Sequence, residues 1–570
     1  MNGKIAPKSN VIGVADPVSQ RGRRNRRPRQ REWSEVLPGF VPPACNQRNQ
    51  REQGRSIRFK RKLVGPDKLI KRGRPDDRVE VRLTDSTSRS GEPTTWGSGQ
   101  RWLNCSWATW APFNGRHSLL LKEKIKLAME TKLEQIAAKA RCEPKLRFTS
   151  LAHHITRDRV LKNLSQIPKR SAAGVDGQTV EEAKKDFGRW IEPMLQSVNR
   201  RGYRAPNIRR VYIPKPGKQE KRPLGVPTVS DRALQRSTAQ VLSAIYEQDF
   251  LPCSFGGRAG LSAHHALATL NEVIAGSKTG WVLEADLKNF FGSLNHDWVL
   301  RFVEHRVGDP RVISLIRRWL KAGVVENGDV HPNEEGTPQG GSISVLLSNV
   351  YLHYVLDLWF ERVVKRRLRG EASLVRYIDD FVICFQYRSD ALRVHEALRH
   401  RLGKFDLTLE PTKTKLVEFG RFAQGHASKH GRTRPETIYF LGFTLYCTRN
   451  RKCNFKVGMR TEKSRLRRGL MSLQELMRRI RHDTISDQVD EINAVLRGHY
   501  AYYGIAGNIR ALLKVYRAVE RYWHRMLCSR SWAGAHLTWD AFNQIKERTP
   551  LQRPKLQLPY RELQALAVQL

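Results

Sequence analysis

The spacing of apolar residues divides the chain into distinct parts. Apolar positions recur at helical spacing from Leu119 to Ala137, which predicts a helix with one buried face and marks the start of globular structure. Between Ala173 and Leu445 short apolar strands alternate with amphipathic helices, a pattern typical of an α/β core. Beyond about Thr461 the strand pattern stops. Three amphipathic helices are predicted there, at about 466–480, 492–496 and 512–522.

The segment before the first helix has no sustained apolar period. Two basic runs, Arg21–Arg31 and Arg55–Arg74, lie among many Pro, Gly, Ser and Gln residues. Such a composition buries too little apolar surface to fold, so we predict that residues 1–115 form a disordered basic extension. A mitochondrial or chloroplast transit peptide is a less favoured alternative, based on the Arg-rich and nearly acid-free start of the chain.

The charge of the chain indicates a polyanionic partner. The 570 residues include 102 Lys and Arg against 55 Asp and Glu, which gives a net charge of +47 and a pI near 10.5. Nucleic acid is the commonest such partner, because phosphate neutralisation releases condensed counterions. A ribosome-like basic surface and a membrane-surface protein are the alternatives. The eight cysteines are scattered, which predicts reduced thiols and no structural zinc.

Candidate chemistry lies in carboxylates at the ends of strands. Residues Ser373–Phe385 form two β-rich runs separated by Asp379 and Asp380, which predicts a tight hairpin with carboxylates at its tip. A second predicted strand, 280–285, is followed by Asp286. An Asp pair alone is a weak signal, because Asp is common in turns. Convergence of all three suits phosphodiester formation, in which two Mg²⁺ ions about 4 Å apart are held by oxygen ligands.

These segments resemble those of a known family. Tyr377–Asp380 (YIDD) is similar to the catalytic box of reverse transcriptases, and Glu284–Phe291 (EADLKNFF) is similar to their preceding aspartate box. Five further segments match in the family's order, and the resemblance covers about residues 120–570. These segments are Ala172–Gly177, Arg209–Thr228, Gly336–Ser342, Leu407–Lys415 and Tyr439–Phe443.

The resemblance implies the catalytic residues and the cofactor. Asp286, Asp379 and Asp380 would be the catalytic carboxylates and would hold the metal, two Mg²⁺ ions for which Mn²⁺ is a possible substitute. Lys215 and Arg222 would bind the incoming triphosphate, as basic side chains do on transferring phosphates.

It also implies contacts with the nucleotide, the template and the primer. Phe291 would crowd the nucleotide 2′-position and so favour deoxynucleotides, and Gln339 would lie beside the nascent base pair. Contacts with primer or template are implied for Arg258, Pro338, Gly340, Leu441 and Gly442.

The C-terminal part narrows the resemblance to the proteins encoded by group II introns. Leu496–Gly504 and Leu537–Asn543 are similar to the thumb, or maturase domain, which in that family binds primer-template and intron RNA. The chain departs from the family pattern at Ile378, where Ala is usual, and at Gly292, which replaces a common Asp. The segment 254–258 is looser than the usual fingers motif.

The fold predicted from the pattern and the resemblance is an α/β right-hand polymerase with an all-α thumb. Residues 116–455 would form the fingers and a β-sheet palm, 456–535 the helical thumb or maturase domain, and 536–570 a short basic DNA-binding tail. No C-terminal HNH endonuclease is expected.

The predicted function is RNA-directed DNA polymerisation coupled to binding of the intron RNA, splicing assistance and retrohoming. The partners would be intron RNA, an RNA template, a DNA primer or target and dNTPs, with no membrane, since no apolar stretch approaches the roughly 18 residues of a membrane span. The sequence does not indicate the oligomeric state. A cytoplasmic bacterial location is expected, with nucleoid association as an option and an organelle less favoured. The alternatives are a splicing maturase with little polymerase activity and a bacterial reverse transcriptase unrelated to introns.

We expect a protein that lacks residues 1–110 to retain DNA synthesis, because every segment that resembles the family lies after that point. Primer extension on an RNA template, compared with the full chain, measures the effect. Complete loss of synthesis by a folded truncated protein would contradict the expectation.

Overall fold

The computed structural model of the protein describes residues 131–214, 221–333, 335–337 and 340–570. The predicted basic extension, Lys215, Pro338 and Gln339 lie outside the described residues, as does the first part of the predicted opening helix. The rest of that helix is present as α1 (Thr131–Cys142), in which the predicted apolar positions are buried.

In the first described part of the chain, a central helix, α5 (Val229–Asp249), packs against α1, α2 (Arg157–Ser165) and α3 (Val180–Lys185). Helix α4 (Phe187–Asn199) packs against α2 and α3. Three of these helices begin after a threonine whose side chain accepts a backbone N–H of the first turn, a favourable N-cap. These threonines are Thr156, Thr179 and Thr228.

The strands of the described residues form three sheets. They are β1 (Ile208–Pro214), β2 (Lys221–Val226), β3 (Trp281–Ala285), β4 (Val324–Glu326), β5 (Asp329–His331), β6 (Ala372–Tyr377), β7 (Asp380–Phe385), β8 (Lys415–Glu418), β9 (Thr437–Phe440), β10 (Phe443–Arg449) and β11 (Phe455–Thr461). Their orders are β2-β1-β4-β5, β6-β7-β3-β8 and β11-β10-β9. The mixture of helix and sheet predicted from the sequence is confirmed.

The sheet β6-β7-β3-β8 is buried on both faces. In β7, Phe381, Ile383 and Phe385 belong to one apolar cluster, while Val382 and Cys384 belong to another. Successive side chains of a strand point to opposite faces, so a strand covered on both sides reads as an unbroken apolar run. This explains why residues 381–385 contain no polar side chain.

Helix α6 (Ala263–Gly276) packs against β6 of this sheet, and α10 (Arg388–Gly403) packs against β3 and β7. The other helices of this part of the chain are α7 (His296–Glu304), α8 (Pro310–Leu320), α9 (Ser344–Leu352) and α11 (Ala423–Lys429). Apolar residues of α10 share the cluster of Phe381, whereas those of α6 share the cluster of Val382 together with residues of β9, β10 and β11. The third sheet therefore packs on the same side of the central sheet as α6.

The three amphipathic helices predicted after Thr461 are confirmed as α12 (Lys463–Arg479), α13 (Ile485–Tyr503) and α14 (Ile509–Cys528). They form a bundle with a separate apolar core, which also includes Phe542 from the next helix, α15 (Trp539–Arg548). No helix among the described residues is both long enough and apolar enough to cross a membrane.

Residues 536–570, expected to form a tail, pack onto the rest of the protein. Phe542 is fully buried in the bundle, and the last helix, α16 (Tyr560–Ala565), lies against α6. The backbone N–H of Val568 donates to Thr269 of α6 at 2.9 Å. The boundary expected at 455–456 falls at the start of β11, which pairs with β10 along its whole length. The functional assignment of these ranges stays a prediction.

The bundle core gives a matched pair of tryptophans for a stability measurement. Trp523 is fully buried and donates its Nε1–H to Gln488 at 2.9 Å, whereas Trp532 is 86% exposed. Trp523→Ala should destabilise the bundle by about 3–5 kcal/mol, because it leaves a cavity and an unpaired amide. Trp532→Ala should change its stability by less than about 0.5 kcal/mol. Urea unfolding of the intact chain, followed by circular dichroism, measures both; equal losses would show that Trp523 does not anchor the bundle.

Candidate active site

The turn between β6 and β7 carries two of the three candidate carboxylates. Tyr377 pairs with Asp380, so Ile378 and Asp379 are the two central residues of the hairpin turn. Ile378 has a φ of 59°, in the left-handed region, and Asp379 has no positive φ. A positive φ at the first central residue alone is the type II′ pattern, in which Gly is the usual residue. The predicted hairpin with carboxylates at its tip is thus present.

Asp286 joins these residues from the neighbouring strand. β3 and β7 are antiparallel, with Ala285 opposite Phe381. Asp286 and Asp380 are the next residues along this ladder, so they face each other at the same end of the sheet. The charge of Asp286 is among the causes that raise the pKa of Asp380, as expected for two carboxyl groups that lie close together. The structure therefore brings together the three carboxyl groups that the sequence singles out.

Burial raises the pKa values of Asp379 and Asp380, and the charges of neighbouring carboxyl groups add to the effect. Burial of the carboxyl group raises the pKa of Asp380 to about 7, and the charges of Asp379 and Asp286 add to the effect. The residue as a whole is still exposed to solvent. The pKa of Asp379 is raised mainly by burial, and the charge of Asp286 adds to the effect. Arg222 and Lys413 act in the opposite direction on Asp379. A site of this kind favours bound cations, because cations relieve the repulsion.

Lys413 is a site residue to which the sequence assigned no role. Its ammonium forms an ion pair with the carboxylate of Asp286. The backbone N–H of Glu410 donates to the carbonyl of Asp286 at 2.8 Å, and Leu287 pairs with Leu409, so the segment before β8 lies along the end of β3. The sequence could have indicated a role for Lys413 only through its place in a family-like segment, because its contact with Asp286 joins residues far apart in the chain.

The donor atoms of the site fit a hard divalent cation. The three candidate side chains are carboxyl groups, whose oxygens are the ligands that Mg²⁺ and Mn²⁺ prefer. The ammonium of Lys413 already places a positive charge against the carboxylate of Asp286. Throughout the described residues, no three His, Cys, Asp or Glu side chains already surround a common metal position. A bound ion would therefore compete with Lys413 for the carboxylate of Asp286.

Arg222 reaches the site from the first sheet. It lies on β2 opposite Ile213 of β1, is exposed, and its charge acts on the pKa of Asp379. The family-like segment at 172–177 is held beside this hairpin, because Arg209 of β1 donates to the carbonyl of Ala173 at 2.7 Å. Lys215, expected to act with Arg222, lies outside the described residues.

Phe291 lies buried in a short turn five residues after Asp286. Its ring contacts Phe290 edge to face, with centroids 5.3 Å apart, and its carbonyl accepts the backbone N–H of Thr337 at 2.7 Å. The segment that leads to Pro338 and Gln339 is therefore joined to the turn that follows β3. Gly340 has a φ of 127°, and a side chain there would collide with the carbonyl of Gly225 on β2. Gly340 thus allows this segment to approach β2 closely.

Leu441 and Gly442 form the turn between β9 and β10. Both have a positive φ, the type I′ pattern of tight hairpins. The hydroxyl of Tyr502, at the end of α13, donates to the carbonyl of Leu441 at 2.8 Å. Burial raises the pKa of Tyr502, and the charge of Asp380 is among the smaller causes, which places this turn and the helical bundle near the carboxylates.

Glu284 is a second residue to which the sequence assigned no role. It is buried on β3, two residues before Asp286, and accepts the backbone N–H of Tyr439 at 2.6 Å. Burial raises the pKa of Glu284 to about 7. This contact joins the strand of Asp286 to β9 and so to the Leu441 turn.

Arg258, for which the resemblance implies a contact with primer or template, is held by contacts within the protein. Its guanidinium donates to Glu247 at 2.9 Å and to the carbonyls of Leu251 and Ser254, and it lies over the ring of Phe250. Its side chain is only 11% exposed. These contacts hold the guanidinium against the 250–258 loop, and the template contact of Arg258 stays a prediction.

The raised pKa of Asp380 predicts a pH-dependent stability of the metal-free protein. The folded-state value of about 7 lies above the ordinary 3.8, so the folded state binds a proton more tightly than the unfolded state. Stability is then lost as the pH rises through this range, and the loss is complete above the folded-state pKa. Asp380→Asn should therefore raise the Tm by a few degrees at pH 8 and by less at pH 5.

Thermal unfolding in EDTA at both pH values measures this difference. Asp490→Asn, which changes an exposed aspartate on α13, is the control and should show no such pH dependence. An equal gain at pH 5 and pH 8 for Asp380→Asn would contradict the assignment.

The part of the chain that contains the three candidate carboxylates also matches a known protein family. Residues 213–445 match the protein family described as reverse transcriptase (RNA-dependent DNA polymerase). The chain is 31% identical over 336 residues to Protein YkfC of Escherichia coli strain K12, a match that covers 53% of this chain and 88% of YkfC.

Two other relatives are encoded by introns. Group II intron-encoded protein LtrA of Lactococcus lactis subsp. cremoris is 32% identical over 234 residues, 39% of this chain and 38% of LtrA. An uncharacterized 91 kDa protein in the cob intron of Schizosaccharomyces pombe is 35% identical over 173 residues, 30% of this chain and 21% of that protein. The chain thus spans most of YkfC but less than half of each intron protein. With its reverse transcriptase domain, its similarity to most of YkfC and its intron-encoded relatives, the chain belongs to the family of group II intron reverse transcriptases and maturases.

Proposed function

We propose that this protein is an RNA-directed DNA polymerase that adds dNTPs to a primer 3′-hydroxyl by two-metal phosphoryl transfer. The observation that carries the proposal is the pairing of β3 with β7, which places Asp286 opposite Asp380 and next to Asp379. Reverse transcriptases use divalent metal ions, and we infer two Mg²⁺ ions here, for which Mn²⁺ can substitute. Such ions activate the 3′-hydroxyl and neutralise the triphosphate.

The side chains around the carboxylates suit this reaction. Asp286 and Asp379 would hold the metal, with Asp380 beside them, once all three are deprotonated. Arg222 already acts on the pKa of Asp379 and would bind the triphosphate together with Lys215. Phe291 is buried next to the end of β3 and would exclude a nucleotide that carries a 2′-hydroxyl. Gln339, between Pro338 and Gly340, would lie beside the nascent base pair.

The three sheets and the bundle correspond to the parts of a right hand. We assign the fingers to the region around β2-β1-β4-β5 and the palm to β6-β7-β3-β8. Leu441 and Gly442 would grip the primer end, a position supported by the hydrogen bond from Tyr502 at the end of α13. The bundle of α12, α13 and α14 would be the thumb.

The bundle surface supports a second part of the proposal, which is binding of the intron RNA. The outer face of α12 and the residues after it are rich in arginine, and most of these side chains are exposed. The arginines are Arg465, Arg467, Arg468, Arg478, Arg479 and Arg481. Phosphate contacts of this kind position an RNA, while its irregular features supply specificity. We propose that this binding assists splicing and retrohoming of the intron, in the cytoplasm of a bacterium.

The alternatives are less well supported. A maturase that only binds RNA would not require three mutually repelling carboxylates in a strongly basic protein, and intron-encoded relatives argue against a lineage unrelated to introns.

The proposal predicts that wild-type protein extends a DNA primer on an RNA template in the presence of Mg²⁺, whereas Asp379→Asn loses at least about 1,000-fold in rate. Asp490→Asn, far from the site in sequence and exposed on α13, should behave as wild type. Filter binding of structured intron RNA should be equal for all three proteins. RNA binding without extension by the wild type would instead identify a maturase with a vestigial polymerase site.

A further inference from the structure

Arg376, at the end of β6, lies behind the carboxylate hairpin and is completely buried. Its Nε–H and one Nη2–H donate to the two carboxylate oxygens of Asp357, at 2.7 and 2.6 Å. The other Nη2–H donates to Ser254 at 2.7 Å. Asp357 is also completely buried, on the wide helical turn His353–Asp357 that continues α9. A bidentate pair of this kind fixes the plane of the guanidinium.

The remaining two donors of Arg376 point toward the hairpin turn. One Nη1–H donates to the side-chain oxygen of Asn349 and the other to the backbone carbonyl of Ile378, both at 3.0 Å. All five N–H donors of this guanidinium therefore have a partner. The only one of these bonds that holds the turn itself is the bond to Ile378.

Asn349 extends the support to the other side of the turn. Its amide donates to the carbonyl of Gly256 at 2.7 Å. The backbone of Gly256 lies against the turn so closely that a Cβ there would be 2.6 Å from Cγ1 of Ile378 and 2.7 Å from its backbone nitrogen. The turn is thus enclosed by Gly256 on one side and bonded to Arg376 on the other.

Ile378 needs such support. A φ of 59° is unfavourable for a β-branched residue and persists only where the surrounding structure enforces it. Relaxation of Ile378 would rotate the peptide that leads into Asp379 and so redirect the carboxylates. Nothing within the two-residue turn itself favours this conformation, since Gly is the residue that adopts it without strain.

We propose that Arg376, braced by Asp357 and Asn349, is a positioning residue that enforces the left-handed conformation of Ile378 and thereby sets the metal affinity of the carboxylate site. This inference rests on the proposed polymerase function. The network contains none of the three candidate metal-binding carboxylates and reaches their turn through the backbone carbonyl of Ile378. Its loss should therefore lower kcat and weaken metal binding, while KM for dNTPs and the affinity for RNA stay nearly unchanged.

The test uses Arg376→Lys and Asn349→Ser, each in the wild-type and in the Ile378→Gly background. Each single change should lower kcat by about 10- to 100-fold, as small misplacements of reacting groups do. Each should also weaken Mn²⁺ binding, measured by electron paramagnetic resonance without substrate. Ile378→Gly should remove most of both losses, because Gly adopts the turn conformation without support. Should Arg376→Lys fail to fold, Asn349→Ser decides, because it leaves the ion pair with Asp357 in place.

Asn163→Ser is the matched control. Asn163 is likewise completely buried and bonded on α2, where its amide donates to the carbonyl of Arg159 and to Ser237 of α5, both at 3.0 Å. It should lower the Tm without changing Mn²⁺ binding or kcat. The proposal is overturned when Asn163→Ser gives the same losses, or when Ile378→Gly leaves the losses unchanged. A wild-type protein that makes no cDNA would refute the polymerase function, and the Mn²⁺ measurements would still decide the positioning role.

Discussion

The antiparallel pairing of β3 with β7 is the constraint on which the candidate site depends. Asp286 and Asp380 are distant in the sequence and repel each other when both are charged, so their proximity has to be enforced by the rest of the fold. The enforcement comes from burial of the sheet on both faces. A slip of one residue in the register would exchange every side chain between the two apolar clusters, so core packing holds the carboxylates opposite each other.

Several energetically unfavourable features lie at the end of the central sheet that carries the carboxylates. Asp379 and Asp380 have raised pKa values. Ile378 adopts a conformation suited to Gly, and Arg376 and Asp357 form an ion pair without solvent contact. Each feature is destabilising or neutral when considered alone. Together they keep acidic oxygens concentrated at one point of a strongly basic protein, next to Lys413 and Arg222. Local strain of this kind is typical of functional sites, where the surrounding core supplies the stability.

The elements around the palm sheet are joined to the site by specific hydrogen bonds. Glu284 connects β3 to β9, and Tyr502 connects the end of α13 to the turn at Leu441. After the bundle, the chain runs back to the end of α13, where the backbone N–H of Leu558 donates to the carbonyl of Gly504 at 3.0 Å. The last helix, α16, then packs on α6 beside the central sheet. The end of α13 is therefore attached to the sheet region, which suits a domain that has to hold a nucleic acid in a defined position relative to the carboxylates.

The sequence by itself determined the elements that carry the chemistry. Local periodicity predicts the strand β7, the strand before Asp286 and the three helices after Thr461. Burial of one or two faces of an element determines the spacing of its apolar residues, so the sequence shows it directly. The resemblance in order and spacing identified the three carboxylates and the family. Tertiary structure alone decided the partners of individual side chains. In the tertiary structure, Arg258 bonds to Glu247, Lys413 pairs with Asp286, and Arg376 bonds to the carbonyl of Ile378. Residues 536–570 pack onto the rest of the protein. These contacts join residues that are far apart in the chain, and which partner a long side chain reaches depends on packing that no local pattern encodes.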